Sequence, residues 1–294
     1  MRKPLFTGVC TALVTPFLDG KVNYPMLEML LRRQWDAGIR TVILAGTTGE
    51  SATLSDGEKV EMFRRAKQYA GDGMQILAGT GSNATAHAVE LSCAAQEAGA
   101  DGVLVVSPYY NKATEDGLTA HYMAVAHAIR IPVIVYNVPS RTGVDIPVSV
   151  YRRLSRIPNI AGVKEASGDI AKCLRIVSEC GKDFPVWCGN DAMTVPVLSL
   201  GGQGVISVAA NVAPEEMVTM TRAALDGDFD TAAAIQARLL PLTDLLSCEV
   251  NPIPVKAAMR QIGYDCGGCR LPLTGLSEAN LRKVEQYFRG SAPN

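Results

Sequence analysis

Ile160-Ala161-Gly162-Val163-Lys164-Glu165 is a short apolar run that ends in two opposite charges. Four apolar residues without polar alternation read as a strand covered on both faces, as in a parallel sheet. Runs of the same kind recur on either side: Gly8-Val9-Cys10-Thr11-Ala12-Leu13, Thr41-Val42-Ile43-Leu44, Gln75-Ile76-Leu77-Ala78, Val103-Leu104-Val105-Val106, Val133-Ile134-Val135-Tyr136, Pro185-Val186-Trp187-Cys188 and Gly204-Val205-Ile206-Ser207. That makes eight strands, the number that closes a barrel, and helical patterns separate them. Leu27, Leu30, Leu31 and Trp35 share one helical face, with Gly38 as its stop, and Ser55-Asp56-Gly57-Glu58 has the spacing of a capping box. Beyond about Ala213 no strand pattern remains; Ala232 to Leu246, Val255 to Ile262 and Ser277 to Phe288 read as helices. The expectation is an α/β chain with a (β/α)8 barrel over 1–212 and a C-terminal helical region over 213–294.

A doubly wound sheet also alternates strands and helices. Gly79-Thr80-Gly81-Ser82-Asn83-Ala84 matches a relaxed dinucleotide fingerprint, with Asp101 about twenty residues on. The match follows the third strand instead of opening the first βαβ unit, and Asp101 precedes a strand where the ribose-binding acid should end one. A tight turn between strand and helix is the simpler reading.

The 294 residues are 48% hydrophobic and 19% charged, enough apolar surface for a large core, and the net charge of -1 offers no attraction to phosphate backbones or anionic lipids. No apolar run approaches a membrane span, and the N-terminal stretch lacks the core of a signal peptide. Nucleic acid and membrane partners are therefore not expected. The eight cysteines are scattered through a chain with an ample core, which fits a reducing cytoplasm. Cys266-Gly267-Gly268-Cys269 is the only CxxC and has no second pair at metal-ligand spacing, so a glycine-rich turn is preferred over a zinc or redox role.

In a barrel the active site lies at the C-terminal ends of the strands, so polar residues there carry the chemistry. Four segments qualify: Gly46-Thr47-Thr48-Gly49-Glu50-Ser51, Pro108-Tyr109-Tyr110-Asn111, Tyr136-Asn137-Val138-Pro139-Ser140-Arg141-Thr142-Gly143 and Lys164-Glu165. Lys164 would enter an apolar interior, where burial disfavours the ammonium and leaves an amine able to attack a keto group. A lysine merely paired with Glu165 is the bland alternative. Tyr136 offers a phenol for proton transfer, with Thr47 and Tyr110 as hydroxyl partners. Backbone amides around Thr47 and Thr48 suit a carboxylate, and Arg141 presents a planar fork for a second one.

Together Gly46-Thr-Thr-Gly-Glu-Ser51, Pro108-Tyr-Tyr-Asn111, Tyr136-Asn-Val-Pro-Ser-Arg-Thr-Gly143, Val163-Lys-Glu-Ala166 and Gly204-Val-Ile-Ser207 closely resemble the dihydrodipicolinate synthases, a family of pyruvate-dependent class I aldolases and lyases. The resemblance runs from about Leu5 to the C-terminal helices. It implies a lyase that condenses pyruvate with L-aspartate 4-semialdehyde to 4-hydroxytetrahydrodipicolinate, on the way to diaminopimelate and lysine, with no metal or organic cofactor. It implies that Lys164 forms the Schiff base, Tyr136 moves the proton, and Thr47 relays to a Tyr110 supplied by the neighbouring subunit. A homo-oligomer follows, at least a dimer, with a tetramer expected. By the same resemblance Thr48 binds the pyruvate carboxylate, Arg141 the carboxylate of the semialdehyde, and Gly189 and Ile206 line the pocket.

Lysine-inhibited members of the family hold their effector at positions matching Ser51, Ala52, Asp56, Lys59, Asn83, His87 and Tyr109. Asn83 and Tyr109 agree with that pattern. His87 stands where a glutamate grips the effector's ammonium, and Asp56 and Lys59 stand for histidines, so weak or absent inhibition by lysine is expected. Two other functions stay open at this point: a sugar-acid aldolase of the same family, such as N-acetylneuraminate lyase or a 2-keto-3-deoxy acid aldolase, and a non-catalytic pyruvate-binding sensor. Arg141 beside Thr47 and Thr48 favours the synthase.

Overall fold

The computed structural model describes residues 3–290. In chain order the strands are β1 (Gly8–Ala12), β2 (Phe17–Leu18), β3 (Lys21–Val22), β4 (Thr41–Leu44), β5 (Gln75–Gly79), β6 (Gly102–Val106), β7 (Val133–Asn137), β8 (Ile160–Glu165), β9 (Val186–Cys188) and β10 (Gly204–Ser207). Eight of them form a closed parallel barrel in the order β1-β10-β9-β8-β7-β6-β5-β4, with β1 returning to β4. This is a (β/α)8 barrel, and it excludes the doubly wound alternative. The hairpin β2–β3 has no counterpart in the sequence reading, because two-residue strands leave no periodic pattern.

The helices are α1 (Tyr24–Asp36), α2 (Asp56–Ala70), α3 (Thr85–Glu97), α4 (Glu115–Ala128), α5 (Pro139–Thr142), α6 (Val148–Leu154), α7 (Ile170–Cys180), α8 (Thr194–Ser199), α9 (Pro214–Leu225), α10 (Phe229–Leu246), α11 (Ile253–Gln261) and α12 (Glu278–Gly290). Ser55 and Glu58 make the reciprocal capping box expected at the start of α2. On α1 the expected apolar face needs one correction. Leu27, Leu30 and Leu31 are buried, but the fourth inward residue is Gln34, whose side chain accepts from Thr11 at 2.6 Å and donates to the Ala210 carbonyl at 3.1 Å. Trp35 is exposed instead, with the Arg40 guanidinium 3.6 Å from its ring centroid. A buried amide with both ends bonded competes successfully with an indole that an arginine can cover on the surface.

Strand residues divide between two cores. Residues facing the helices form the larger one; Cys10, Ile43, Leu77, Leu104, Ile134, Trp187 and Ile206 fill the barrel interior. Trp187 plugs that interior, stacked on Phe6 at 4.8 Å between ring centroids and donating from Nε1 to the Phe6 carbonyl at 3.2 Å.

β8 carries the detail that decides what faces inward. Val133 pairs with Ile160, yet Ile134 pairs with Gly162, so Ala161 is an extra residue in the strand. Side chains alternate along a strand, and one extra residue moves everything after it to the other face. Ile160 faces the helices, and an unbroken strand would turn Lys164 toward them as well. The bulge turns Lys164 inward, level with the inward-facing Tyr136 of β7. Gly162 makes the bulge possible: its φ is +145°, and a Cβ there would stand 2.3 Å from the Pro185 carbonyl oxygen and 2.8 Å from the Trp187 ring.

Between α3 and α4 the fold buries His121, with Nδ1 3.0 Å from Thr85 Oγ1 and, among the described residues, no partner for Nε2. Burial holds its imidazole down at about 4, against the ordinary 6.5. The unfolded chain takes up a proton below pH 6.5 and the folded chain does not, so stability falls as the pH drops from about 6.5 to about 4. The expected contribution is about 1.4 kcal/mol per pH unit in that window. Urea unfolding of the wild type and His121→Gln at pH 7.5, 6 and 5 measures it, and equal pH dependence in both proteins would refute it.

Candidate active site

At the C-terminal mouth of the barrel, register alone makes Tyr136 and Lys164 direct neighbours, with Trp187 on the far side of Lys164. The Lys164 Nζ lies 4.4 Å from the Tyr136 ring centroid. Four lysines are buried: Lys59, Lys164, Lys172 and Lys256. Lys59 pairs with Asp56, Lys172 with Asp145 and Lys256 with Glu50. Lys164 alone among these has no carboxylate partner among the described residues. The bland alternative of a pair with Glu165 fails because alternation sends Glu165 to the opposite face, where Asn137, Tyr151 and the Ser167 amide bind its carboxylate.

Small groups leave room around the amine. A Cβ at Gly189 would stand 2.6 Å from Ala166 Cβ and 3.1 Å from Lys164 Cε, so glycine is required there for Lys164 to keep its place. Burial pushes the Cys10 thiol above its ordinary range and the Cys188 thiol up to about 12, leaving both neutral beside the lysine. Burial likewise raises the Asp191 carboxyl, against the pull of the Ala209 and Val208 amides and of Lys164's charge.

A cavity of about 610 Å³ opens above Tyr136 and is lined by Gly46, Thr47, Val138, Arg141 and Asn251 among others. Tyr136 forms part of its wall, and Lys164 lies against the Tyr136 ring. The same cavity continues outward past Ser51, Ala52, Asp56, Lys59, His87 and Tyr109. Asn83 is not on this wall; its carbonyl accepts from Asn111. Asp56, Lys59 and His87 bind one another: His87 Nε2 is 2.8 Å and Lys59 Nζ 3.4 Å from the Asp56 carboxylate, and His87 Nδ1 is 3.1 Å from Ser82 Oγ.

Other residues singled out by sequence lie elsewhere. Tyr110 is 90% exposed, with φ at +71°, and is not on the wall of the cavity of its own chain. Thr48 is buried, and its hydroxyl accepts from Asn251 Nδ2 at 3.0 Å instead of facing the cavity. Ile206 sits in the barrel interior below. The Gly46–Gly49 glycines allow close packing, since a Cβ at Gly49 would meet the Ala45 nitrogen at 2.9 Å. The left-handed residues of that loop, however, are Ala45 and Glu50, with φ of +50° and +57°.

Sequence reading passed over the groups that hold this loop. Glu50 and Lys256 form a buried ion pair at 2.6 Å, Glu50 Oε2 accepts from the Arg270 amide, and the Arg270 guanidinium grips Glu58 and the Thr53 carbonyl. Asn251 joins Thr48 to Arg141, whose Nη2 is 3.4 Å from the Asn251 carbonyl. Asn251-Pro-Ile-Pro-Val-Lys256 at the start of α11 was the available signal, but nothing local links it to a loop two hundred residues earlier. The fingerprint glycines serve packing too: a Cβ at Gly79 would stand 2.0 Å from the Ala45 carbonyl oxygen, while Asp101 pairs with Lys67 at 2.8 Å. Cys266 and Cys269 are free thiols in an irregular segment where Gly267 has φ of +70°. Among the described residues, no three His, Cys, Asp or Glu side chains gather as a metal site, and no helix is long and apolar enough to cross a membrane.

A closed (β/α)8 barrel with a cavity at its C-terminal mouth, and there a buried lysine that pairs with no carboxylate among the described residues, defines the class of barrel enzymes. The chain belongs to the dihydrodipicolinate synthetase family, which matches it over residues 5–289. It is 46% identical to the 4-hydroxy-tetrahydrodipicolinate synthase of Acetivibrio thermocellus over 98% of both chains. Among solved structures it resembles the dihydrodipicolinate synthase of Aquifex aeolicus, with a TM-score of 0.95 and 43% identity over 97% of this chain and 98% of the other. It also resembles the enzyme of Cyanidioschyzon merolae with lysine bound, with a TM-score of 0.94 and 40% identity over 98% of this chain and 99% of the other.

Proposed function

We propose that the protein is a 4-hydroxy-tetrahydrodipicolinate synthase that joins pyruvate to L-aspartate 4-semialdehyde through a Schiff base on Lys164. The observation that carries this reading is the Lys164 amine, buried, without a carboxylate partner among the described residues and set against Tyr136. The neutral amine adds to the keto carbon of pyruvate, and the carbinolamine loses water to give an iminium. The iminium acidifies the pyruvate methyl group, a base takes its proton to leave an enamine, and the enamine carbon attacks the aldehyde, whose oxygen takes up a proton as the new carbon–carbon bond forms. Tyr136 is the proton carrier, with Thr47 beside it on the cavity wall. When the amino group of the second substrate displaces Lys164 at the imine carbon, the ring closes and the free amine returns. The turn at Thr47 and Thr48 takes the pyruvate carboxylate; Arg141 takes that of the semialdehyde, and Gly189 and Ile206 shape the floor. No metal or organic cofactor enters these steps.

An assay of pyruvate with aspartate semialdehyde tests the reading against the sugar-acid aldolases. Turnover is expected with the semialdehyde, and cleavage of N-acetylneuraminate or ketodeoxy acids slower by at least about 100-fold, because Arg141 offers a cation where a polyol needs hydroxyl-binding groups. The reverse preference would assign the chain to the aldolases, and no turnover of either would leave the pyruvate-binding sensor.

The outward Tyr110 supports an assembly of at least a dimer, in which each chain lends this phenol to the partner's cavity, with dimers pairing into a tetramer in the cytoplasm. Regulation by lysine is weak or absent on this reading. Although burial opposes it, the His87 hydrogen bond and the charge of Lys59 hold the Asp56 carboxyl below its ordinary range, so this anion is already engaged. L-lysine at about 1 mM is expected to inhibit by less than about a fifth. Strong inhibition at sub-millimolar lysine would reject this account of Asp56, Lys59 and His87.

A further inference from the structure

On the opposite face of the strands from Lys164 and Tyr136 lies a buried polar cluster that the steps above do not use. The register that pairs Tyr136 with Lys164 also pairs Asn137 with Glu165, and alternation sends these two outward. Asn137 and Tyr151 are fully buried, and Glu165 and Lys172 nearly so. Asn137 Nδ2 donates to Glu165 at 3.0 and 3.1 Å and to Asp145 at 2.8 Å, while Asn137 Oδ1 accepts from the Ile146 amide at 3.1 Å. Tyr151 Oη donates to Glu165 Oε2 at 3.2 Å, and the Ser167 amide to Oε1 at 2.7 Å.

All of these donors are neutral. The cation of the cluster, Lys172, pairs with Asp145. Glu165 is thus a buried carboxylate whose direct donors are all neutral, and it adjoins a lysine that, among the described residues, has no ion-pair partner on the other face. Its backbone carbonyl also accepts from the Gly189 amide at 2.8 Å, which holds Gly189 against the Lys164 side chain.

We infer that Glu165 is a positioning residue for Lys164: bound to Asn137, it locks the ends of β7 and β8 so that Tyr136 and Lys164 stay level, and its charge acts through the sheet to favour the positive forms of the Lys164 nitrogen. The groups facing Lys164 are Tyr136 from β7, Cys10 from β1, Cys188 from β9 and Asp191 from the loop after β9. Those facing Glu165 are Asn137 from β7, Tyr151 from α6, Lys172 and Cys173 from α7, and Asp145 from the loop before α6. Asp191 is the carboxylate on the Lys164 side, Glu165 follows Lys164 in β8 on the opposite face, and Asp145's charge is met by Lys172. The inference rests on Lys164 being the Schiff-base residue.

The test is the pH dependence of pyruvate trapping by cyanoborohydride in the full-length protein, with kcat and thermal stability measured alongside. Trapping is expected to rise with pH, because only the neutral form of an amine adds to a keto carbon. In Glu165→Gln the rising limb is expected to move to lower pH by about 0.5 to 1 unit, with kcat reduced about tenfold. Glu165→Asp restores the limb even where its melting temperature does not recover. Tyr151→Phe removes a neutral donor and leaves the limb in place while lowering the melting temperature. Should Glu165→Gln fail to fold, Lys172→Met decides: it leaves Asp145 unbalanced and is expected to move the limb upward. A limb unmoved in Glu165→Gln or, failing that, in Lys172→Met overturns the inference, as does an equal shift in Tyr151→Phe. No trapping by the wild type at any pH would instead overturn the Schiff-base reading.

Discussion

Lys164→Ala is expected to lose at least about 10³-fold in kcat while keeping its fold. The expectation of an intact fold follows from the environment. Among the described residues Lys164 makes no ion pair that its removal would orphan, unlike Lys256, whose loss would leave Glu50 as a buried charge without its counter-ion. Lys256→Ala should therefore cost several kcal/mol of stability, and Lys164→Ala little, with the activity loss concentrated in Lys164→Ala when both are assayed as folded protein. Urea unfolding beside the condensation assay separates the two effects. A Lys164→Ala protein retaining a tenth of wild-type turnover would remove this residue from the chemistry.

Gly162→Ala is expected to be the most damaging change of a single methyl group near the site. The added carbon meets the Pro185 carbonyl oxygen and the Trp187 ring, and the φ of +145° strains any side chain. Either the strand moves or the bulge is expelled. Expelling it returns Lys164 to the helix-facing side, so trapping and turnover should vanish together with about 3 kcal/mol or more of stability. Circular dichroism melts and pyruvate trapping on the same preparation check both. Unchanged stability with full trapping would show that the bulge does not set the direction of Lys164.

Much of the fold was legible because its signals are local. The apolar runs lay within a residue or two of the observed strands, and Ser55 and Glu58 announced a helix start that the structure contains. What stayed hidden depends on partners far along the chain. Nothing near Trp35 says that Gln34 has Thr11 and Ala210 waiting for it, so periodicity puts the indole on the apolar face and gives no sign of the buried amide. The site shows the same division. Lys164 and Tyr136 were visible as polar ends of apolar strands, and register made them neighbours. The bulge at Ala161 was not visible, since Ile160-Ala-Gly-Val163 reads equally well with or without an extra residue. Asn251, Lys256 and Arg270 were missed because they reach the Thr47 loop from the C-terminal helices. Thr48 illustrates the cost: its hydroxyl belongs to Asn251, a partner that nothing in the Thr47 loop announces.

Of the four buried lysines, Lys164 alone has no carboxylate partner among the described residues, and it is the one expected to react. Borohydride reduction of the protein with pyruvate, followed by peptide mass mapping, tests it most directly. A single stable adduct on Lys164 is the predicted result. An adduct on Lys59, Lys172 or Lys256, or no adduct at all, would contradict it.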